Sequence, residues 1–453
     1  MIQGWSLKEI KLLIAEKNVE ETSAILEQFQ PADIAELLRE IDYSDQKWIV
    51  SLLDNETVAL TINELDPEFV GELLGILHED RVSEILEEMP FDDAADLLSE
   101  LPDQDQNRYL DLLELDDQQD VRELMNYPED SAGGLMTTEY VAIREDITAA
   151  RAIEELRQIA PDAETVYYVY VINTENKLVG VISLRELIIA TPSAIIKDIL
   201  RSNVISVPVD MDQEEVAHIV SKYNFLAVPV VDHEGALLGI ITVDDVIDVI
   251  HEEASEDLYR LAGTTDEEAE TEEPFGARII TSLRSRLPWL LITLLGGLIS
   301  GQVLNTFSDK ISAVVALSFF IPLLTGMGGN VGTQSSTVTV RAIAMGKVSS
   351  KNVFSVILRE AILGLSMGTV LGLLVGIIAS LWLGMPMLGI CVGLALLSNV
   401  FTAATVGTLV PIIFRKIGID PAVASAPFIS TTIDITGLII YSSLVTLLIA
   451  YLI

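Results

Sequence analysis

Cysteine is almost missing: Cys391 is the only one in 453 residues, and it lies in an apolar run. Without a second cysteine no intrachain disulfide can form, which sets aside the disulfide-stapled secreted scaffolds. Histidine is scarce as well. The four (His78, His218, His233 and His251) are scattered, with no nucleophile–His–acid arrangement, so the chain is not expected to be an enzyme. Positive charge is short: 27 Lys and Arg face 68 Asp and Glu, for a net charge of −41. A surface this acidic repels phosphate, which excludes nucleic acid as a partner and favours cations. The N-terminus, MIQGWSLKEIKLL, lacks a long apolar stretch and a cleavage site. No signal peptide is expected there, and the first part of the chain is expected to stay in the cytoplasm.

The charge is divided between two parts. From Phe275 onward there are ten basic and four acidic residues, a net of +6, whereas the first 274 residues carry 17 and 64, a net of −47. An acidic soluble part is therefore joined to an apolar, slightly basic one.

Residues 1–130 read as an acidic helical N domain. QPADIAELLREI, DPEFVGELLGIL, PFDDAADLLSEL and PDQDQNRYLDLL each join a turn residue and acids to apolar positions at helical spacing. Pro31, Pro67, Pro90 and Pro102 are helix-start signals. Each helix is too short to stand alone, so stacking into an α-helical solenoid is expected. Asp92 and Asp96, four apart on one helix face, can share a cation.

After DSAGGLMTTEYVAI the pattern changes to β-branched strands alternating with helices. VYVINTENKLVGVISLRELI (169–188) matches VPVVDHEGALLGIITVDDVI (228–247) at a constant offset of 59 residues. This repeat resembles the paired CBS modules, an α/β regulatory fold, here 131–198 and 199–247. In that family a Ser/Thr-x-x-Asp motif can hold the ribose of an adenine nucleotide. TVDD, with Thr242 and Asp245, fits; SLRE, with Ser183 and Arg185, has Glu186 in the acidic place. Many CBS pairs bind no nucleotide, so ATP at this pair stays open. Beyond it, residues 248–280 should form a connecting helix, from about Asp248 to Leu261, and a solvated acidic linker around Glu267–Glu273.

Residues 281–453 contain five apolar stretches long enough to cross a bilayer, at about 287–307, 312–341, 353–382, 386–414 and 422–452. Basic residues set the orientation. Arg278, Arg284 and Arg286 precede the first span; Arg341, Lys347 and Lys351 follow the second; Arg415 and Lys416 follow the fourth; Lys310 alone lies opposite. The N-terminus is thus expected inside and the C-terminus outside. In the second span, Pro322 and Gly326, Gly328, Gly329 and Gly332 are expected to break the helix midway. Asn330, Thr333, Gln334, Ser335 and Ser336 would line a watery path there. Asn399 in the fourth span reads as glue between helices. The last span carries Asp434, its one deep acid. An ionised carboxylate at that depth costs roughly 2.5–3.5 kcal/mol on insertion scales, which favours a role in a cation pathway. An anion channel or carrier would want basic or amide-lined spans, and a receptor without transport would not need the charge.

Three motifs, PLLTGMGGNVGTQ, SAGGLMTTEYV and DPAVASAPFISTTIDITG, resemble the MgtE family of magnesium channels. The likeness covers the whole order: helical N domain, CBS pair, connecting helix, five spans. It implies a homodimer in the cell membrane, with a pore on the two-fold axis built mainly from the second and fifth spans. It implies Mg²⁺ import down the electrochemical gradient, closed by intracellular Mg²⁺, with Co²⁺, Mn²⁺ and Ni²⁺ open as further cargo. By motif position the selectivity site maps onto Asp434 and the Ser430 carbonyl. The pore lining maps onto Gly328, Gly329, Asn330, Thr333 and Ala426. Regulatory metal sites map onto Asp92, Asp96, Asp212, Glu214, Asp245, Asp248, Glu253, Glu256 and Asp257, and Asp420 matches a position that meets the connecting helix in the closed form. Thr333 and Ala426 depart from the Asn of some relatives.

Overall fold

Four prolines of the acidic N-terminal part begin helices. Pro31 opens Pro31–Arg39 and Pro67 opens Pro67–Ile76, while Pro90 and Pro102 cap Phe91–Ser99 and Asp103–Leu110. A first-turn proline surrenders an N–H that has no intrahelical partner anyway. Among the described residues ten such short helices follow one another from Leu7–Glu16 to Leu115–Leu124. Each buries a stripe such as Ile34, Leu37 and Leu38, or Val82, Ile85 and Leu86, in one continuous core. Their open C-terminal carbonyls are met by side chains: Gln46 Nε2 donates to Leu38 O at 3.0 Å, and Gln118 Nε2 to Leu110 O at 2.7 Å.

The computed structural model describes residues 7–65, 67–159, 163, 165–265, 275–309, 314–349, 351–424 and 426–452. The acidic run 267–273 and Lys310 lie outside the described residues. The chain divides into two units, Met1–Ile250 and His251–Ile453.

The 59-residue repeat becomes two three-stranded sheets. In the first, β1 (Tyr140–Arg144) runs parallel to β2 (Thr165–Ile172), which pairs antiparallel with β3 (Leu178–Ser183). In the second, β4 (Val207–Pro208), β5 (Ala227–Val231) and β6 (Leu237–Thr242) repeat the order. The registers coincide: Val171 faces Gly180 and Val230 faces Gly239; Tyr168 faces Ser183 and Ala227 faces Thr242. The helix that leaves β6 does not start afresh at Asp248. It runs unbroken for 20 residues, Val243–Ala262, so the last CBS helix and the connecting helix are one element.

The second unit contains five long apolar helices: Phe275–Thr306, Ile321–Ala344, Val353–Leu383, Pro386–Lys416 and Ala426–Leu452. The expected break in the second span is absent. A 3₁₀ turn, Val315–Phe320, leads into a continuous helix with Pro322 in its first turn, where proline is tolerated. Its glycines serve close packing instead. At Gly332 an added Cβ would collide with Ile433 of the fifth span, and one on Gly407 of the fourth would strike the Gly332 carbonyl. Without a hydrophobic drive between helices in lipid, such contacts supply the packing.

Candidate functional site

Along the second span the exposed positions form a polar stripe. Asn330, Gln334, Thr337 and Arg341 are exposed at helical spacing, while Val331, Ser335, Ser336 and Thr339 are buried on the other side. The Thr337 hydroxyl donates back to Thr333 O (3.0 Å) and that of Thr333 to Gly329 O (2.9 Å). The Asn330 and Gln334 amides have no partner among the described residues.

The fifth span lies beside this stripe. A Cβ on Gly329 would sit 3.3 Å from Ser430 Oγ, so Ser430 rests against the backbone next to Asn330. Asp434, one turn further on, is half-buried and meets no cationic or hydrogen-bonding side chain among the described residues. Ala426, at the start of this span, is half-buried too. Thus Asn330, Thr333, Ser430 and Asp434 come to one side of the second and fifth spans. Gly329 is one contact point between the two spans and Gly332, on Ile433, another, while Gly328 faces inward onto Asn399 and Ile433. Asn399 Nδ2 donates to Leu324 O at 2.6 Å, the expected interhelical bond.

The acids read as cation sensors are spread more widely. Asp92 is buried and Asp96 exposed on Phe91–Ser99, whose N-terminus is capped by Glu139 of the CBS part, Phe91 N donating to Glu139 Oε2 at 3.0 Å. Asp212 caps Gln213–Tyr223 by accepting from Glu214 N at 3.0 Å, and both side chains are exposed. On Val243–Ala262, Asp245, Asp248, Glu252 and Glu256 follow one stripe, with Glu253 and Asp257 beside it. Burial pushes the Asp245 carboxyl up, opposed by hydrogen bonds from Thr242. Among the described residues no three His, Cys, Asp or Glu side chains form a ready-made metal cluster.

The connecting helix meets the loop before the fifth span at Asp420, the position marked by the resemblance, through a partner that sequence reading did not single out. Arg260 pairs with both Glu256 and Asp420. Arg260 is the one basic residue in the last turn of an acidic helix, and that oddity is the signal that could have found it. Asp257 lies in the same cluster. Burial first, then Asp420 and Glu253, push its carboxyl up to about 6, against the pull of Arg341. An acid whose pKa rises on docking stabilises the docked helix most below its free value of 3.8, and that gain is lost as pH rises through about 6. Acidification from pH 7.5 to 5.5 should therefore raise the amide protection of residues 255–262, after the intrinsic pH dependence of exchange is divided out, by an effect of order 1 kcal/mol once solvent screening is discounted. Asp257→Asn should flatten this dependence; an unchanged slope in that variant would exclude Asp257 as its source. Another missed residue is Glu360 of the third span, a buried acid within 3.4 Å of both Ser335 and Arg359.

Between the two sheets lies a cavity of about 260 Å³, lined by Tyr168, Tyr170, Ser183, Glu186, Arg201 and Phe225 among others. Ser183 and Glu186 close a capping box, and Arg201 holds Glu186 down to about 2. The Tyr170 hydroxyl is buried without a hydrogen-bond partner among the described residues. Of the residues picked from sequence, Ser183 lines this cavity; exposed Arg185 does not, and the Thr242 hydroxyl is engaged by Asp245 at 2.6 Å. Aromatic faces, an orphan hydroxyl and one arginine suit a nucleoside with a short phosphate tail.

Residues 321–444 match the MgtE divalent cation transporter family, 29–130 the MgtE intracellular N domain, and 132–192 and 196–252 the CBS domain. A magnesium transporter MgtE of Thermus thermophilus is 43% identical over 330 residues, 73% of this chain and 72% of its own length. One of Enterococcus faecalis is 43% identical over 332 residues, again 73% and 72%. A crystal structure of the cytosolic domain of the Mg²⁺ channel MgtE in complex with ATP superposes with a TM-score of 0.52 at 41% identity, covering 54% of this chain and 100% of that one. With its acidic helical domain, CBS pair and five spans in the same order, the chain belongs to the MgtE family of magnesium transporters.

Proposed function

We propose that this chain forms a homodimeric Mg²⁺ channel that admits the ion to the cytoplasm and is closed by cytoplasmic Mg²⁺. The observation that carries the reading is the contiguous polar side of the second and fifth spans. Two amides and a carboxylate lie there without partners among the described residues of one chain, and such groups are costly against lipid. A second copy facing this side would enclose them around water and bring two Asp434 carboxylates together. Mg²⁺ gives up its waters reluctantly and is held through them by one or two carboxylates, so such a pair would attract the ion without trapping it.

Arg341, Lys347, Lys351, Arg415 and Lys416 sit on the side assigned to the cytoplasm by the positive-inside rule, which puts the N-terminus inside and the C-terminus outside. An inside-negative potential then drives a divalent ion inward by about 4.6 kcal/mol per 100 mV. Closure would follow when Mg²⁺ bridges the acids of the N domain, CBS pair and connecting helix, several weak preferences for one state adding together. The Arg260–Asp420 contact supports a coupling of that helix to the fifth span. An adenine nucleotide in the CBS cavity would meet the orphan Tyr170 hydroxyl and Arg201. The test of transport is entry of Mg²⁺ into dye-loaded liposomes carrying the wild-type chain or Asp434→Asn; equal entry in both would contradict the reading.

A further inference from the structure

Asn399 sits where three spans meet. Its side chain is 1% exposed, and its Nδ2 donates to Leu324 O of the second span at 2.6 Å. Within a helix that carbonyl is already bonded by the N–H four residues on, that of Gly328, so the amide adds a second donor at a glycine. The fit is close on both sides. A Cβ on Gly328 would lie 2.6 Å from Asn399 Nδ2, and one on Gly437 of the fifth span 2.5 Å from Oδ1. Oδ1 itself has no conventional hydrogen-bond partner among the described residues, which leaves it against glycine Cα–H groups. Gly437 comes three residues after Asp434, so the amide touches the fifth span within a turn of the acid.

An apolar side chain of similar size would fill this space without leaving an oxygen unpaired inside a membrane domain. What the amide adds is a fixed distance. It bonds the backbone of the second span while its other end abuts the backbone of the fifth, and glycines at both contacts let it approach closely, with Ile433 also against Gly328. We propose that Asn399 is a positioning residue that sets the separation of the second and fifth spans at the level of Asp434, and through it the discrimination among divalent cations of equal charge. A site that holds an ion through its water shell responds to small changes in width, because ions of equal charge differ in how readily they shed water. The proposal rests on the reading of these two spans as the cation pathway.

The test compares Mg²⁺ and Co²⁺ entry in one batch of liposomes carrying the full-length chain. The ratio of the two rates does not depend on how many copies are folded. Asn399→Leu should shift this ratio by about threefold, the effect of losing one interhelical hydrogen bond in a membrane. Gly437→Ala, which presses on Oδ1 and leaves Asn399 in place, should shift it in the same direction. If Asn399→Leu fails to fold, Gly437→Ala decides alone. A ratio unchanged in both variants, whatever the absolute rates, would leave Asn399 a packing residue and overturn the proposal. Wild-type entry through Asp434→Asn in the same assay would instead refute the underlying pathway, so the two failures are distinguishable.

Discussion

Mg²⁺ entry through Asp434→Asn is expected to fall by about 100-fold or more in dye-loaded liposomes, with no loss of thermal stability. Two unit charges 4 Å apart attract by about 4 kcal/mol at an effective dielectric constant of 20, and a divalent ion doubles this. A water layer between ion and carboxylate weakens the attraction, yet about 2.7 kcal/mol already accounts for the loss. Asparagine keeps the shape and one acceptor, so the change isolates charge. Stability should hold because Asp434 bonds no side chain among the described residues, and its removal leaves no partner stranded. A variant that is less stable and still conducts would reverse the assignment, making the acid a structural one.

Neutralising Asp248 and Glu256 together should leave the open channel conducting and weaken its closure by internal Mg²⁺. Both acids stand on Val243–Ala262, Asp248 exposed and Glu256 paired with Arg260. If bridging Mg²⁺ favours the closed state through these carboxylates, their loss should move half-inhibition to higher internal Mg²⁺ by about 5- to 150-fold, the range of ordinary coupling energies. Patch-clamp recording of Asp248→Asn/Glu256→Gln against the wild type measures this. Inhibition at the same internal Mg²⁺ would remove these acids from the gate. The Arg260 bridge adds a direction to the result. Freed of Glu256, Arg260 would be left to Asp420 alone, so the connecting helix should remain attached to the membrane unit even where closure fails.

The two sheets were legible because a register written twice leaves a constant offset: Gly180 and Gly239 hold equivalent places opposite Val171 and Val230. The five spans were legible because a bilayer demands length and apolarity, which hydropathy reports directly. The second span was misread for a physical reason. Proline and glycine weaken a helix in water, but Pro322 occupies a first turn and Gly332 allows Ile433 a close approach, so the local penalties are offset by neighbours no window of sequence displays. The polar stripe could be named from the sequence, but its facing could not. Gly328 and Asn330 are two residues apart and point to opposite surroundings, one buried on Asn399 and the other exposed. Contacts such as Arg260 with Asp420, 160 residues apart, or Tyr170 and Phe225 around one cavity, depend on long-range packing that composition does not encode.

The central claim is that the exposed side of the second span, beside Asp434, faces water and not lipid. The most direct measurement is the reaction of Gln334→Cys, in a Cys391→Ala background, with a membrane-impermeant cationic thiol reagent, using Leu373→Cys of the third span as the lipid-facing comparison. The account predicts rapid modification at Gln334→Cys that blocks Mg²⁺ entry, slowed when Mg²⁺ is present, and no modification at Leu373→Cys. Two equally inert cysteines, with Mg²⁺ entry unaffected, would contradict it.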